Sequence, residues 1–237
     1  MSSRRSNQIG VLLSAWVVLC CAMPGCHRDS APAQIDLKII HPDFPKPVFI
    51  SAPWNCTLPN FEPLRFPPQK EFTAPADAEI LSLHKPVTSS RSPSKGQNEW
   101  ITDGDAFCGG NGEYAVFFEN LPCWVQIDLG SERRIDHVWL WHDQGALFRR
   151  ATPEVFEDVI VQLSNDVDFG SGVTTLFNSD DDGSCGQGKG TDPTYMETNH
   201  GRGVPAKGQT ARYVRIWGGK AYSGGPCRFT EVTVWGR

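Results

Sequence analysis

The chain has 237 residues, 39% of them hydrophobic, and a formal charge of −5, which is enough for one domain with an ordinary core and some extra length. Its 23 glycines, 18 prolines and 8 tryptophans, with no long stretch of helical periodicity, favour many short strands and turns. An acidic chain without a basic run excludes nucleic acid and anionic membrane surfaces as primary partners.

Residues 1–26 read as an export signal. Arg4 and Arg5 give a positive start, and Ile9 to Ala22 is an apolar run short for a membrane span. The run ends in Ala22-Met23-Pro24-Gly25-Cys26, which is similar to a bacterial lipobox. By that similarity Cys26 is the lipidation candidate and a lipid anchor the one membrane contact; the alternative is an ordinary cysteine beyond a different cleavage point. Removal of this segment brings the charge to about −7. The expected localisation is exported, as a cell-envelope lipoprotein or a secreted protein.

Residues 27–77 differ in composition from the rest of the chain. Ten of the prolines lie between Pro32 and Pro75, with no glycine between Gly25 and Gly96. Such density favours extended chain without its own core. Phe44, Phe49, Trp54, Phe61, Phe66 and Phe72 are nevertheless too apolar for a freely solvated tether, so this arm is expected to lie partly along the main domain.

The main domain is assigned to residues 78–237. Ile80 to Leu83 starts a strand, and Thr102-Asp103-Gly104-Asp105 makes a tight turn. Trp124 to Leu129 alternates apolar and polar residues, as a half-buried strand does. Gly130-Ser131 with Glu132, Arg133 and Arg134 is expected to break it from a second strand carrying Ile135, Val138 and Leu140 on one face and Trp139 and Trp141 on the other. Further strands are expected in Phe156 to Ser164, Gly170 to Phe177, Arg212 to Trp217 and Arg228 to Trp235, with a long Gly/Asp/Ser-rich loop over 178–208. Seven or eight strands in this span point to an all-β jelly-roll sandwich.

The series Lys85-Pro86-Val87-Thr88-Ser89-Ser90, Thr102-Asp103-Gly104-Asp105, Trp124-Val125-Gln126-Ile127-Asp128-Leu129-Gly130, Ala211-Arg212-Tyr213-Val214-Arg215-Ile216 and Thr230-Glu231-Val232-Thr233-Val234 resembles the coagulation factor 5/8 type C, or discoidin-like, domain. The resemblance covers about two-thirds of the chain. It implies a galactose-binding-like jelly roll and a carbohydrate or glycoconjugate as ligand. The 144–156 loop and the 178–208 insertion depart from the usual brief module.

Two carboxylates on one glycine-bearing turn, Asp103 and Asp105, suit a hard cation such as calcium, which takes six or more oxygens. The resemblance adds Glu231 as a third ligand of a structural calcium. The plain alternative is an Asp-Gly turn whose carboxylates accept backbone hydrogen bonds. Trp141, His142, Arg149, Arg150 and Tyr222 are the ligand-binding candidates, because sugar sites pair an aromatic face with polar donors. Against this, and preferred, is the plain reading in which Trp139 and Trp141 cover the sheet and the arginines are solvated loop charges.

Asn178 to Gly183 starts like an EF-hand loop, but Lys189 stands where a bidentate glutamate is needed. No C-x-x-C pair occurs, which argues against a zinc ribbon. In an oxidising compartment Cys108 with Cys123 and Cys185 with Cys227 are the expected disulfides. No G-x-S-x-G or H-E-x-x-H motif is present, so no enzyme is expected. Two functions stay open: a non-catalytic module that binds carbohydrate through loops at one end of the sandwich, and a structural domain docking an envelope protein.

Overall fold

A computed structural model describes residues 35–48, 56–62, 68–107, 113–144 and 154–237. The expected lipidation residue Cys26 lies outside the described residues, as do Cys108, Arg149 and Arg150. Residues 35–237 form one compact unit.

The strands are β1 (Leu37–Ile40), β2 (Phe72–Pro75), β3 (Glu79–Ile80), β4 (Val87–Ser89), β5 (Val116–Phe118), β6 (Cys123–His142), β7 (Ile160–Ser164), β8 (Thr174–Asn178), β9 (Arg202–Gly218) and β10 (Cys227–Gly236). A single 3₁₀ turn, Asn98–Thr102, leads into the Asp103 loop. All pairings between these strands are antiparallel, and the eight from β3 onward form the expected sandwich.

Two long strands bind the sandwich together. The first part of β6, Cys123 to Asp128, pairs with the last part of β9, Asp128 facing Tyr213 and Cys123 facing Gly218. The second part of β6, Ile135 to Leu140, pairs with the first part of β9 and, on its other edge, with β10. β4 adds to the first part of β6, and β7 and β8 extend the sheet beyond β9. The expected break at Gly130-Ser131 is thus a bend inside one 20-residue strand. Pairing with β9 lapses between Asp128 and Arg133, where the charged side chains occupy an exposed corner and the chain passes from one layer to the other, and it shifts register again between Ile135 and His137. β9 likewise starts at Arg202, well inside the segment expected to be loop.

Alternation in β6 decides the core. Val125, Ile127, Leu129, Ile135, Val138 and Leu140 are buried with Val214, Ile216, Phe229, Val232 and Val234 in the main cluster. Trp139 and Trp141 face the other way and are also buried, at 0% and 2% exposure, because the arm covers them. β1 and β2 pair across Ile39 and Thr73; Ile40, Phe72, Ala74 and Phe44 pack on both tryptophans. Phe72 stacks on His137 with ring centroids 4.1 Å apart, and Phe44 lies 5.7 Å from the Trp139 ring. Burying a large apolar side chain contributes about 1.5–3 kcal/mol, so the arm is part of the folded domain's energetics.

Polar contacts hold the arm in register. Val48 donates its N–H to Gln144 Oε1 at 3.1 Å, and Asn199 donates to the Pro45 carbonyl at 3.1 Å. Asn60 donates to the Ser179 carbonyl at 3.0 Å and accepts from Thr194 Oγ1 at 3.0 Å. Glu62 pairs with Arg202. The insertion after β8 thereby holds the arm segment around Asn60.

Candidate functional site

The Asp103-Gly104-Asp105 turn follows the 3₁₀ segment, with Gly104 at φ +91, a value that side-chain-bearing residues rarely adopt. Asp103 Oδ1 accepts the Asp105 N–H at 2.9 Å, and Asp105 Oδ1 accepts the Phe107 N–H at 2.9 Å. Glu231, on the fully packed strand β10, accepts the Gly104 N–H through Oε2 at 3.2 Å. One hydrogen bond thus ties the loop to the last strand. Burial, with the Asp103 and Asp105 charges adding to it, pushes the Glu231 carboxyl up to about 9. Burial also raises Asp103.

Among the described residues no Lys or Arg forms an ion pair with any of these three carboxylates. A buried carboxylate and two exposed ones, with no positive side chain to compensate, are oxygen donors of the kind a hard cation takes, but their arrangement is open. The three side chains do not close on one point. The one described set of three carboxylates with oxygens within 4.8 Å of one another is Asp158, Asp180 and Asp182.

That second cluster caps its own loop. Asp180 accepts the N–H groups of Gly183 at 2.7 Å, Ser184 at 3.0 Å and Cys185 at 2.9 Å. Asp182 accepts from Ser184 N at 2.8 Å, and Asp158 from Ser184 Oγ at 3.2 Å. Burial first, then the Asp180 charge, moves Asp158 up to about 6. The EF-hand-like start of the sequence is therefore a hydrogen-bonded turn of the insertion.

Next to the Asp103 turn the arm leaves a groove of about 480 Å³, lined by Asp43, Phe44, Pro45 and Lys46 on one side and Gly104, Asp105, Ala106 and Phe107 on the other. Phe44 and Phe107 are half-buried, while Asp43, Lys46 and Asp105 are exposed. Two aromatic faces with carboxylate and ammonium groups at the rim can stack a sugar ring and bond its hydroxyls. Sequence reasoning missed this groove. Half of it comes from the arm, and only the aromatic content of the arm hinted that it belonged to the domain.

The described ligand candidates drawn from the sequence, Trp141, His142 and Tyr222, do not assemble into one site. Trp141 and His142 are neighbours in a strand, so their side chains point to opposite faces. Trp141 lies under the arm and donates Nε1–H to the Asn199 carbonyl at 3.1 Å. His142 is 1% exposed in the sandwich interior, stacked on Phe156 at 4.6 Å and 3.2 Å from Glu197. Tyr222 is half-buried, and its hydroxyl lies 3.0 Å from Thr57 Oγ1 on the arm. The structure places all three in packing roles.

The expected Cys185–Cys227 bridge is not formed: Cys123, Cys185 and Cys227 are buried thiols. Cys185 Sγ is turned to the Asp158 carbonyl at 3.7 Å, and the neighbour of Cys227 is Cys123.

No protein-family model matches the sequence, and no curated protein matches it either. Among solved structures, chitosan-binding module 1 from a chitosanase/glucanase of Paenibacillus sp. IK-5 is 20% identical, the match covering 67% of this chain and 99% of that one at a TM-score of 0.42. A fucose binding module of Streptococcus pneumoniae is 17% identical over 68% of this chain and 98% of its own, with a TM-score of 0.47. The Clostridium perfringens module CpGH89CBM32-4, solved with GlcNAc-alpha-1,4-galactose, is 15% identical over 68% and 96% at a TM-score of 0.47. These are loose likenesses, and no ligand contact is carried across from them.

Proposed function

We propose that the protein is an exported, non-catalytic module that binds carbohydrate or glycoconjugate in the groove between the arm and the Asp103 loop. The observation that carries this reading is the groove itself, where Phe44 and Phe107 flank Lys46, Asp43 and Asp105. Apolar ring faces of a sugar suit the phenyl rings, and hydroxyls suit the charged rim. Asp103, Asp105 and Glu231, with the carbonyls of the turn, would hold a structural calcium ion that fixes the loop half of the groove. The ion supplies charge neutralisation and rigidity; the side chains of the groove do the recognition. Export rests on the basic start, the apolar run and Cys26 of the sequence, with Cys26 as the proposed lipid attachment point.

The test is a screen of the full chain against glycans and polysaccharides, with calcium and with chelator. Saturable binding that weakens in chelator and in Phe107→Ala supports the proposal. Absence of binding to every carbohydrate in both conditions overturns it.

A second reading, docking of an envelope protein, is favoured by one feature. Ile35, Leu37 and Ile39 are 51%, 64% and 59% exposed, an aliphatic row leading into and along β1, which among the described residues pairs with β2. Such a row suits an added strand from a partner. Co-purification of one stoichiometric protein, lost in Leu37→Lys without loss of folding, would favour this second role.

A further inference from the structure

We propose that Cys123 and Cys227 are joined by a disulfide when the protein folds under oxidising conditions, a covalent clasp between the two layers of the sandwich. Cys123 opens β6 in the layer built with β4 and the end of β9, whereas Cys227 opens β10 in the opposite layer. Both side chains are 0% exposed and belong to the same core cluster. Their sulfurs converge beside Gly218. Cys123 is the register partner of Gly218, and its Sγ lies 3.7 Å from the Gly218 carbonyl oxygen. A Cβ built on Gly218 would lie 2.4 Å from Cys227 Sγ, so the missing side chain at that position is what makes room for the sulfur. Burial and the neighbouring Cys123 thiol hold the Cys227 thiol well above its usual range. Two buried sulfurs packed against the same glycine from the two layers can be brought to bonding distance by side-chain rotation.

The other described cysteines are not placed for this bond. Cys185 Sγ is turned instead to the Asp158 carbonyl, 3.7 Å away. Cys56 is on the arm and only half-buried. Because both partners are sealed in the folded domain, the bond must form while the chain folds. Each thiol gives up one proton, and the pair gives up two electrons to a disulfide oxidant such as oxidised glutathione or a dithiol–disulfide oxidoreductase. The oxidant's S–S bond breaks through a mixed disulfide and leaves as two thiols, while one Sγ–Sγ bond forms. The bond encloses a long segment that includes all of β7, β8 and β9, so its effect on the unfolded chain is large.

The experiment refolds the full chain from denaturant in a reduced/oxidised glutathione buffer and alkylates remaining thiols. Digestion with trypsin and a glutamyl endopeptidase, which cuts at Glu113 and Glu119 between Cys108 and Cys123, precedes mass mapping. The expected result is a Cys123 peptide linked to a Cys227 peptide, with Cys185 alkylated. Tm of the oxidised protein should fall by on the order of 10 °C on reduction. Cys123→Ala and Cys227→Ala should each lose that sensitivity to reductant. Recovery of both residues as alkylated thiols, or of either one joined to Cys108 or Cys185, would overturn the proposal; this mapping is made on the unsubstituted chain and does not depend on the variants folding.

Discussion

The imidazole of His142 lies 3.2 Å from the carboxylate of Glu197, and both side chains are shut off from solvent, at 0% and 1% exposure. Burial drives the His142 imidazole down to about 3, helped by the positive charge of Arg228, and drives the Glu197 carboxyl well above its usual range. The folded pair therefore holds one proton and is uncharged. The unfolded chain holds two protons on these groups below about pH 4.5, one between about 4.5 and 6.5, and none above. Where the unfolded state binds more protons, stability rises with pH; where it binds fewer, stability falls. The pair's contribution accordingly climbs from about pH 3 to 4.5, is level to about 6.5 and declines above. In Glu197→Gln the proton that produces this pair's decline is gone, so above pH 6.5 Tm of the variant should fall less than that of the parent, the part of the fall due to Glu231 being common to both. Parallel curves for the two proteins would show that Glu197 is ionised in the fold.

Beside this pair, Arg228 is 1% exposed. Its Nε lies 3.2 Å from Asp143 Oδ2 and its Nη2 lies 3.2 Å from Glu154 Oε2. Asp143 follows β6 and Glu154 precedes Val155, so one guanidinium clamps both ends of the segment between them. Arg228→Met removes the guanidinium that two buried carboxylates share and should cost about 3–5 kcal/mol in denaturant unfolding. Adding Asp143→Asn and Glu154→Gln removes the stranded charges and should recover most of that loss. If the triple variant is no more stable than Arg228→Met, the loss comes from packing.

Much of the fold was legible in the sequence. Alternation from Trp124 to Leu129 named one core face correctly, and the eight strands from Glu79 onward agree with the count expected. The bend at Gly130 read as a break because exposed charge and glycine mark a turn and a strand corner alike. The cover over Trp139 and Trp141 was not legible in detail. Apolar residues in a proline-rich arm say that it must dock, and the docking face depends on pairings between β1 and β2 more than thirty residues apart in sequence. The same alternation that found the core also separates Trp141 from His142, so part of the ligand assignment was decidable from period two alone. Three acids around Asp103 were legible as a group, whereas the burial that gives Glu231 its character needed the packed strand β10.

The groove gives a prediction with separable outcomes. Phe44 touches Trp139 and His200, with centroids 5.7 Å and 5.0 Å away, so Phe44→Ala should lower both stability and glycan affinity. Phe107 and Lys46 lie at the rim, and Phe107→Ala or Lys46→Ala should keep Tm within a few degrees of the parent. Loss of a stacking ring should weaken glycan binding by roughly tenfold, about 1–1.5 kcal/mol. Titration calorimetry against a glycan found in the screen, run beside thermal unfolding, reads both quantities. Rim variants that bind like the parent would move the site away from this groove.

Glu231 links the groove to pH and calcium. Its carboxyl is pushed up to about 9, chiefly by burial, from an ordinary 4.5. The folded state then keeps a proton that the unfolded state has released, so its contribution is fully present below about pH 4.5 and is lost as pH rises toward 9. Calcium binds the ionised form, so it should oppose that loss, and its own affinity should strengthen as pH rises. Chelator-treated protein should lose Tm between pH 5 and pH 9, and excess calcium should restore it most at the upper end. The Glu197 decline above pH 6.5 is common to both conditions and cancels in the difference. Glu231→Gln keeps a neutral acceptor for the Gly104 N–H and removes the charge. It should raise calcium-free stability at pH 8 by roughly 1–3 kcal/mol and abolish the response to calcium. A calcium response retained in Glu231→Gln would place the ion elsewhere, with the Asp158, Asp180 and Asp182 cluster as the next place to substitute.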